Sequence, residues 1–318
     1  QRQMCIRDRE NISKVMLIMS EIYYLNRDLN KIEKEKIYGK IFIILFYGRC
    51  SKLFSPILQL ICRIPFFSRL YGYLQKSKRS SKKIASFIKT YHIDSSEFLL
   101  RPEEYSSFND FFTRKLNPKC RPIAKEADIA ILPADGRYLV FPSFPKQRGI
   151  WVKNKNFSLY DLLQNKELAD KYNHGSCAIA RLAPVDYHRF HFLCDGVPNK
   201  ARQINGYLYS VNPKALMKNI AYLTKNKRNI TIFSTKHFGQ VLYIEVGATY
   251  VGAIEQTYTP EVFQKKGAEK GFFSFGGSCI ILLFQPNVIA FAEDLIQATE
   301  QKLEVLGKYG QVLGKSLL

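Results

Sequence analysis

The chain has 318 residues, enough for one large domain or two small ones, and its 46% hydrophobic content excludes a disordered chain. Forty-eight Lys and Arg against 27 Asp and Glu give a net charge of +21, which attracts polyanions, either nucleic acid or an anionic membrane surface. Seven scattered cysteines with no C-x-x-C pair argue for reduced thiols and against a zinc ribbon or disulfide framework.

In chain order, Met4-Cys5-Ile6-Arg7-Asp8-Arg9 resembles the translation of a sequencing-library adapter. Residues 1–15 are therefore set aside as non-native, and the native start is Met16, Met19 or a residue missing from this sequence. Neither start leaves a signal peptide, because the short apolar run ending at Met19 is followed at once by Ser20 and Glu21. Residues 22–38 alternate apolar and charged side chains, predicting a short hairpin and then a helix start. Residues 41–47 and 53–62 are strongly apolar but interrupted by Gly48, Arg49, Lys52 and Pro56, and neither approaches the ~18 residues of a spanning helix. A buried helix pair would suit them; the surrounding charge favours a membrane surface. From Arg49 to Lys89 there are ten basic residues and no acidic one, interleaved with Phe54, Ile64, Phe66, Phe67, Tyr71 and Tyr73. Residues 75–83 read as a basic connection and 84–91 as a short amphipathic helix.

The boundary with a second region falls near residues 97–104. Beyond it the texture changes to short strands separated by Gly, Pro and Asn, at 128–132, 137–141, 177–182, 201–207, 230–234, 241–246 and 250–254. Ser158 caps a helix start at 159–163, and Asn212-Pro213 opens a helix running to about residue 224. The tail from 292 to 318 fits helix or strands. The expectation is an α+β protein with a β-rich catalytic domain at 101–318 and a basic, mainly helical region at 16–100.

Three stretches carry candidate chemistry. Two strand-like runs, 271–275 and 279–284, meet at Gly276-Gly277-Ser278, where two residues without Cβ free the backbone. Upstream, Asp135-Gly136 supplies a carboxylate, and Tyr187-His188-Arg189-Phe190-His191 supplies two imidazoles. Each has an ordinary reading when taken alone: Gly-Gly-Ser is a common hairpin turn and Asp-Gly a standard turn pair. His188-x-x-His191, with Cys194 three further on, suits structural histidines, a metal site or catalysis. On a strand, a spacing of three puts the two rings on opposite faces, so a shared site needs a bent backbone.

Together and in this order, the three stretches resemble phosphatidylserine decarboxylase, a family that makes its own pyruvoyl group by cutting its chain at a Gly-Ser bond. The likeness extends to Phe108-Asn109-Asp110-Phe111-Phe112-Thr113-Arg114 and Lys266-Gly267-Ala268-Glu269-Lys270-Gly271. More loosely it takes in residues 65–72, and it covers nearly everything from Ile22 onward. Here Cys279 follows the reactive serine where the family has Thr or Ser, which bears on the rate of cleavage.

The resemblance implies an Asp135–His191–Ser278 charge relay for self-cleavage between Gly277 and Ser278, leaving a β chain ending at Gly277 and an α chain of residues 278–318. Ser278 would become a pyruvoyl group, the covalent cofactor, and form a Schiff base with the amine of phosphatidylserine. Loss of carbon dioxide would then give phosphatidylethanolamine, with His188 serving that second step. No metal is implied, and neither G-x-x-x-x-G-K nor G-x-G-x-x-G occurs. The implied partners are the anionic phospholipid membrane, its phosphatidylserine, and the two chains of one precursor, with a homodimer allowed and no nucleic acid. The implied location is peripheral, on the cytoplasmic face of the cell membrane, with residues 16–100 as the docking region. Two rival readings draw on the same charge and residues: a basic nucleic-acid-binding protein, and a serine hydrolase using the same Asp135, His191 and Ser278 without self-cleavage. Arg181, Asp186 and Arg189 are left as scaffold or phosphate contacts.

Overall fold

The most apolar strand of the chain fixes the centre of the molecule. Ser278–Phe284 (Ser-Cys-Ile-Ile-Leu-Leu-Phe) is buried along its whole length, so it needs cover on both faces. Its side chains divide as strand alternation requires: Ile280, Leu282 and Phe284 join one core, and Cys279, Ile281 and Leu283 join another. The computed structural model describes residues 21–47, 57, 60, 62, 64–143, 158–248 and 253–318. The segment expected to be non-native, both proposed starts, most of the apolar run at 53–62 and most of the strand expected at 250–254 lie outside these residues.

Among the described residues, ten strands form the main sheet. Its order is Lys31–Lys34, Tyr23–Asn26, Glu304–Gly307, Gly136–Phe141, Ser176–Leu182, Ser278–Phe284, Gln240–Gly247, Arg228–Thr235 and Gly196–Pro198, with Arg202–Ile204 also on Arg228–Thr235. Described pairings are antiparallel except that of Tyr23–Asn26 with Glu304–Gly307. On one face lie Phe190 and Phe273 from a smaller sheet, Phe192 just past one of its strands, and Leu295 and Ala298 from the helix Glu293–Glu300. That smaller sheet pairs Ile254–Gln256, Glu269–Phe273 and Arg189–His191. Leu162, Leu163, Leu216 and Leu223, from short helices, cover the opposite face. The structure is thus mixed helix and sheet.

Local signals explain the helix starts. Ser158 Oγ accepts the amide of Asp161 at 3.0 Å to begin Leu159–Leu163, and Asn212 Oδ1 accepts that of Lys214 at 3.1 Å to begin Pro213–Lys218. The helix expected to run on to residue 224 instead breaks at Asn219, whose side chain accepts the amide of Ala221 and leads into Tyr222–Lys225. The tail contains both alternatives, the helix Glu293–Glu300 followed by strands Glu304–Gly307 and Val312–Ser316.

Residues 21–35 form the short hairpin expected at the start of 22–38, and it extends the main sheet, so the N-terminal region contributes strands as well as helices. Glu35 follows its second strand and grips Arg181 through both carboxylate oxygens, at 2.9 and 2.7 Å. The helices Lys40–Tyr47, Pro65–Lys76 and Ile84–Tyr91 come next, and the basic stretch at 78–83 is itself a 3-10 helix. Among the described residues, no helix is long and apolar enough to cross a membrane.

Candidate active site

The Gly-Gly-Ser joint is not a hairpin turn. Glu269–Phe273 belongs to the smaller sheet and Ser278–Phe284 to the main one, so residues 274–277 carry the chain from sheet to sheet. Gly276 takes φ +144°, a backbone state that side chains with a Cβ rarely adopt. Ser278 is the first residue of its strand, in register with Leu182 on one side and Gly247 on the other, and it is fully buried.

Against it lies His188, whose Nδ1 is 3.3 Å from the Ser278 hydroxyl oxygen. The other ring nitrogen, Nε2, is 3.0 Å from the carbonyl of Ala183, an atom that can only accept. Nε2 therefore carries the proton, and Nδ1 offers its lone pair to the Ser278 hydroxyl. Burial lowers the His188 pKa to about 3; the Ala183 carbonyl opposes this shift, while the Arg114 and Arg137 charges add to it. Phe112 stacks on the ring, 3.9 Å between centres and 25° from parallel. The turn before His188 is secured by Arg114, which donates to the carbonyls of Val185 and Asp186 at 3.3 Å each.

His191 sits at the end of the strand Arg189–His191 and faces a different set of groups. Its Nδ1 donates to the carbonyl of Gly267 at 3.1 Å, leaving Nε2 to accept from the Tyr187 hydroxyl at 3.2 Å. Tyr309 stacks on the ring and donates its own hydroxyl to the same Gly267 carbonyl at 2.8 Å. Only glycine suits position 267: φ is +79°, and a Cβ would come within 2.3 Å of Ile123 and 2.9 Å of the Tyr309 hydroxyl. Burial lowers the His191 pKa to about 4, partly offset by the Gly267 carbonyl and by the charges of Glu269 and Asp135.

Asp135 lies close enough to His191 to act on it by charge, yet among the described residues it hydrogen-bonds to neither histidine. Its carboxylate accepts from Arg121 Nη2 at 2.7 Å and from the amide of Tyr309 at 2.8 Å. The structure thus brings His188 to Ser278 and gathers Asp135 and His191 around Tyr309. The three residues left open by the sequence are structural. Arg181 pairs with Glu35 and Glu304, Asp186 with Arg137, and Arg189 with Glu269.

A cleft of about 100 Å³ opens beside the joint. Its lining includes Gly276, Gly277, Ala183 and Val211 together with Lys36 and Tyr38 of the N-terminal region.

Comparison with known proteins matches residues 108–314 to the profile of phosphatidylserine decarboxylase. The chain belongs to the phosphatidylserine decarboxylase family. A phosphatidylserine decarboxylase proenzyme of Chlamydia trachomatis serovar D is 45% identical over 295 residues, covering 93% of this chain and 97% of that protein. The proenzyme of Chlamydia caviae is 47% identical over 300 residues, covering 94% and 99%, and that of Chlamydia pneumoniae 45% over 299, covering 94% and 98%. Neither the nucleic-acid reading nor the hydrolase reading finds support among these relatives. The family motif at 108–114 proves to be part of the site's wall, through Phe112 and Arg114. Sequence reasoning also missed Arg121 and Tyr309, which sit far along the chain from the histidine motif and carried no local signal.

Proposed function

We propose that this chain is a self-cleaving, pyruvoyl-dependent decarboxylase of phosphatidylserine, with Ser278 as nucleophile and as the residue converted to the prosthetic group. The observation that carries the reading is the contact of Ser278 with the lone-pair nitrogen of His188, at the residue where Gly277 ends one segment and a buried strand begins.

In the precursor, the Ser278 hydroxyl loses its proton to an imidazole as its oxygen bonds to the Gly277 carbonyl carbon. The Gly277–Ser278 C–N bond then breaks, the nitrogen gains a proton, and an ester joins the two segments. Removal of the Ser278 α-proton expels Gly277 as a carboxylate and leaves dehydroalanine. Addition of water with loss of ammonia yields the ketone. The pyruvoyl group supplies an electron sink for the loss of carbon dioxide from the substrate. His188, already beside residue 278, is placed to hold and deliver the proton required at the substrate carbon.

The first proton has two candidate acceptors. The family likeness gives it to His191, with Asp135 as supporting charge; this asks for movement, since Nε2 of His191 faces Tyr187. The 3.3 Å contact favours His188, whose tautomer already suits the task. Under either assignment the bond cut is the same.

The proposal extends to a peripheral seat on the cytoplasmic membrane face. On the helix Lys40–Tyr47, Ile43, Phe46 and Tyr47 are buried with Tyr209 and Ala215, while Ile41, Ile44 and Leu45 on the other face are exposed. Lys76, Lys78, Arg79, Lys82 and Lys83 are exposed nearby in sequence. This combination suits a surface of anionic lipid, and Lys36 and Tyr38 of the same region line the cleft at the joint.

Intact-mass spectrometry tests the core of the proposal. The purified protein should appear as two chains divided between 277 and 278, the second beginning with a pyruvoyl group. Ser278→Ala should remain one inactive chain; an active wild-type protein of one uncut chain would overturn the reading.

A further inference from the structure

One short helix touches both halves of the proposed cleavage site. Phe108–Phe112 begins where Ser107 Oγ accepts the amide of Asp110, and it is fixed from outside by Ser80 Oγ, which accepts the amide of Phe108 at 2.8 Å. From its inner side, Asn109 Oδ1 accepts the amide of Phe275 at 3.0 Å. That amide stands two residues beyond the end of the strand Glu269–Phe273, where sheet pairing no longer supplies an acceptor. The Phe275 side chain is 2% exposed and packs on Phe108 and Phe112, with ring centres 5.2 and 4.8 Å away. The same Phe112 stacks on His188, and Arg114, just past the helix, holds the turn that precedes His188.

Gly276 and Gly277 are the only residues between this anchored phenylalanine and Ser278, whose strand is locked in register on both sides. Two glycines in sequence impose little on their own conformation. The direction of the Gly277 carbonyl therefore depends on where Phe275 is pinned, while the position of the imidazole depends on Phe112 and the turn.

We propose that Asn109 is a positioning residue for self-cleavage, and that the helix Phe108–Phe112 aligns the Gly277–Ser278 bond with His188. This rests on the reading of Gly277–Ser278 as the bond that is cut. Asn109 touches no reacting atom and takes no proton; it fixes the amide two residues upstream of the scissile carbonyl. Phe112 acts on the imidazole instead, covering one face of a ring that otherwise meets the Ala183 carbonyl, the Ser278 hydroxyl and the charges of Arg114 and Arg137.

The test follows conversion of newly made full-length chain into its two fragments on a denaturing gel, across a range of pH. Asn109→Leu removes the acceptor at similar size and should mature about tenfold more slowly, the effect of losing one part-buried hydrogen bond that holds the transition-state geometry. Asn109→Asp keeps an oxygen in place and should mature close to the wild-type rate. If the leucine variant loses its circular-dichroism spectrum, Asn109→Ala, which adds no bulk, carries the same expectation. The pH profiles of Asn109→Leu and Asn109→Ala should parallel the wild type, because neither adds a titratable group nor touches a proton transfer. Phe112→Leu should shift the profile, since it uncovers the imidazole. Maturation of Asn109→Leu or Asn109→Ala at the wild-type rate, or of Asn109→Asp as slowly as they do, overturns the proposal alone. A wild-type chain that is not cut, or a Ser278→Ala chain that is, overturns the reading beneath it.

Discussion

His191 and Tyr309 lie face to face, ring centres 3.8 Å apart and 14° from parallel. Cleavage at Gly277–Ser278 would place them on different chains. The α chain would also own Ser278–Phe284, held between two strands of the β chain, and Glu304–Gly307, held between two more. Seven consecutive buried residues in the first of these would have to reach water for the chains to part. The two fragments should therefore co-elute on native size exclusion and separate only in denaturant. Release of residues 278–318 from the cleaved protein under native conditions would contradict this arrangement.

Cys279 offers a separate test. Its thiol is fully buried in the apolar face opposite Ile280, and burial raises its pKa, so it is no nucleophile in the intact chain. Cys279→Thr should cleave at least as fast as wild type. It should also lower stability by about 1–3 kcal/mol unless the new hydroxyl finds a partner, read as a drop in the unfolding midpoint. Much slower maturation would mean that the thiol takes part in the chemistry.

The two buried imidazoles make stability depend on pH with a defined sign. Their folded pKa values, about 3 for His188 and about 4 for His191, lie below the ordinary value of 6.5. Between these limits the unfolded chain binds more protons, so their contribution is complete above pH 6.5 and declines as pH falls toward 4. By pH 4 each would cost about 3 kcal/mol. Chemical denaturation at pH 7 and pH 4.5 should show a loss that shrinks in His188→Gln. An equal loss in that variant would show that His188 is not the group being protonated.

For membrane docking, reversing the charge of Lys78, Arg79, Lys82 and Lys83 should weaken sedimentation with anionic vesicles, and high salt should weaken the wild type likewise. Ile41→Asp, on the exposed face of Lys40–Tyr47, should weaken binding even at low salt. Self-cleavage should persist in all of these, being intramolecular. Undiminished vesicle binding by the charge-reversed protein would assign these side chains to solvent.

Much of the fold was legible because 137–141, 177–182 and 241–246 are short, largely apolar runs bounded by turn residues and the caps at Ser158 and Asn212 are local. Strand parity predicted opposite faces for His188 and His191, but His188 lies just before the strand Arg189–His191. Parity could not say which would meet Ser278, because that depends on the turn after Leu182, where Asp186 Oδ2 accepts the amide of Ala183 and Arg114 holds two carbonyls. The partner of Asp135 was hidden for a similar reason. The Tyr309 amide reaches it only once the strand Glu304–Gly307 has paired beside Gly136–Phe141, and Arg121 comes from 14 residues upstream. The Gly-Gly-Ser joint looked like a hairpin because two strands flank it; their membership of different sheets follows from non-local pairing.

The two histidines can be told apart by asking each mutant two questions, whether it cuts itself and whether it decarboxylates. If His191 is the base and Asp135 supports it, His191→Ala should stay full length and Asp135→Ala should be slow or blocked, while His188→Ala should divide into two chains and remain inactive. If the contact seen in the intact chain is the working one, His188→Ala should stay full length, because Ser278 has lost the lone pair 3.3 Å from its oxygen. His191→Ala would then mature, with its defect confined to the packing around Tyr309 and Gly267. Asp135→Asn adds a control that removes the charge while leaving Oδ1 to accept from Arg121 Nε and the Tyr309 amide, at the loss of the Arg121 Nη2 bond, so a block in a variant that folds favours charge acting on His191. A denaturing gel and a decarboxylation assay on these variants decide between the two assignments, and full maturation with full activity in both histidine mutants would overturn the role proposed for either ring.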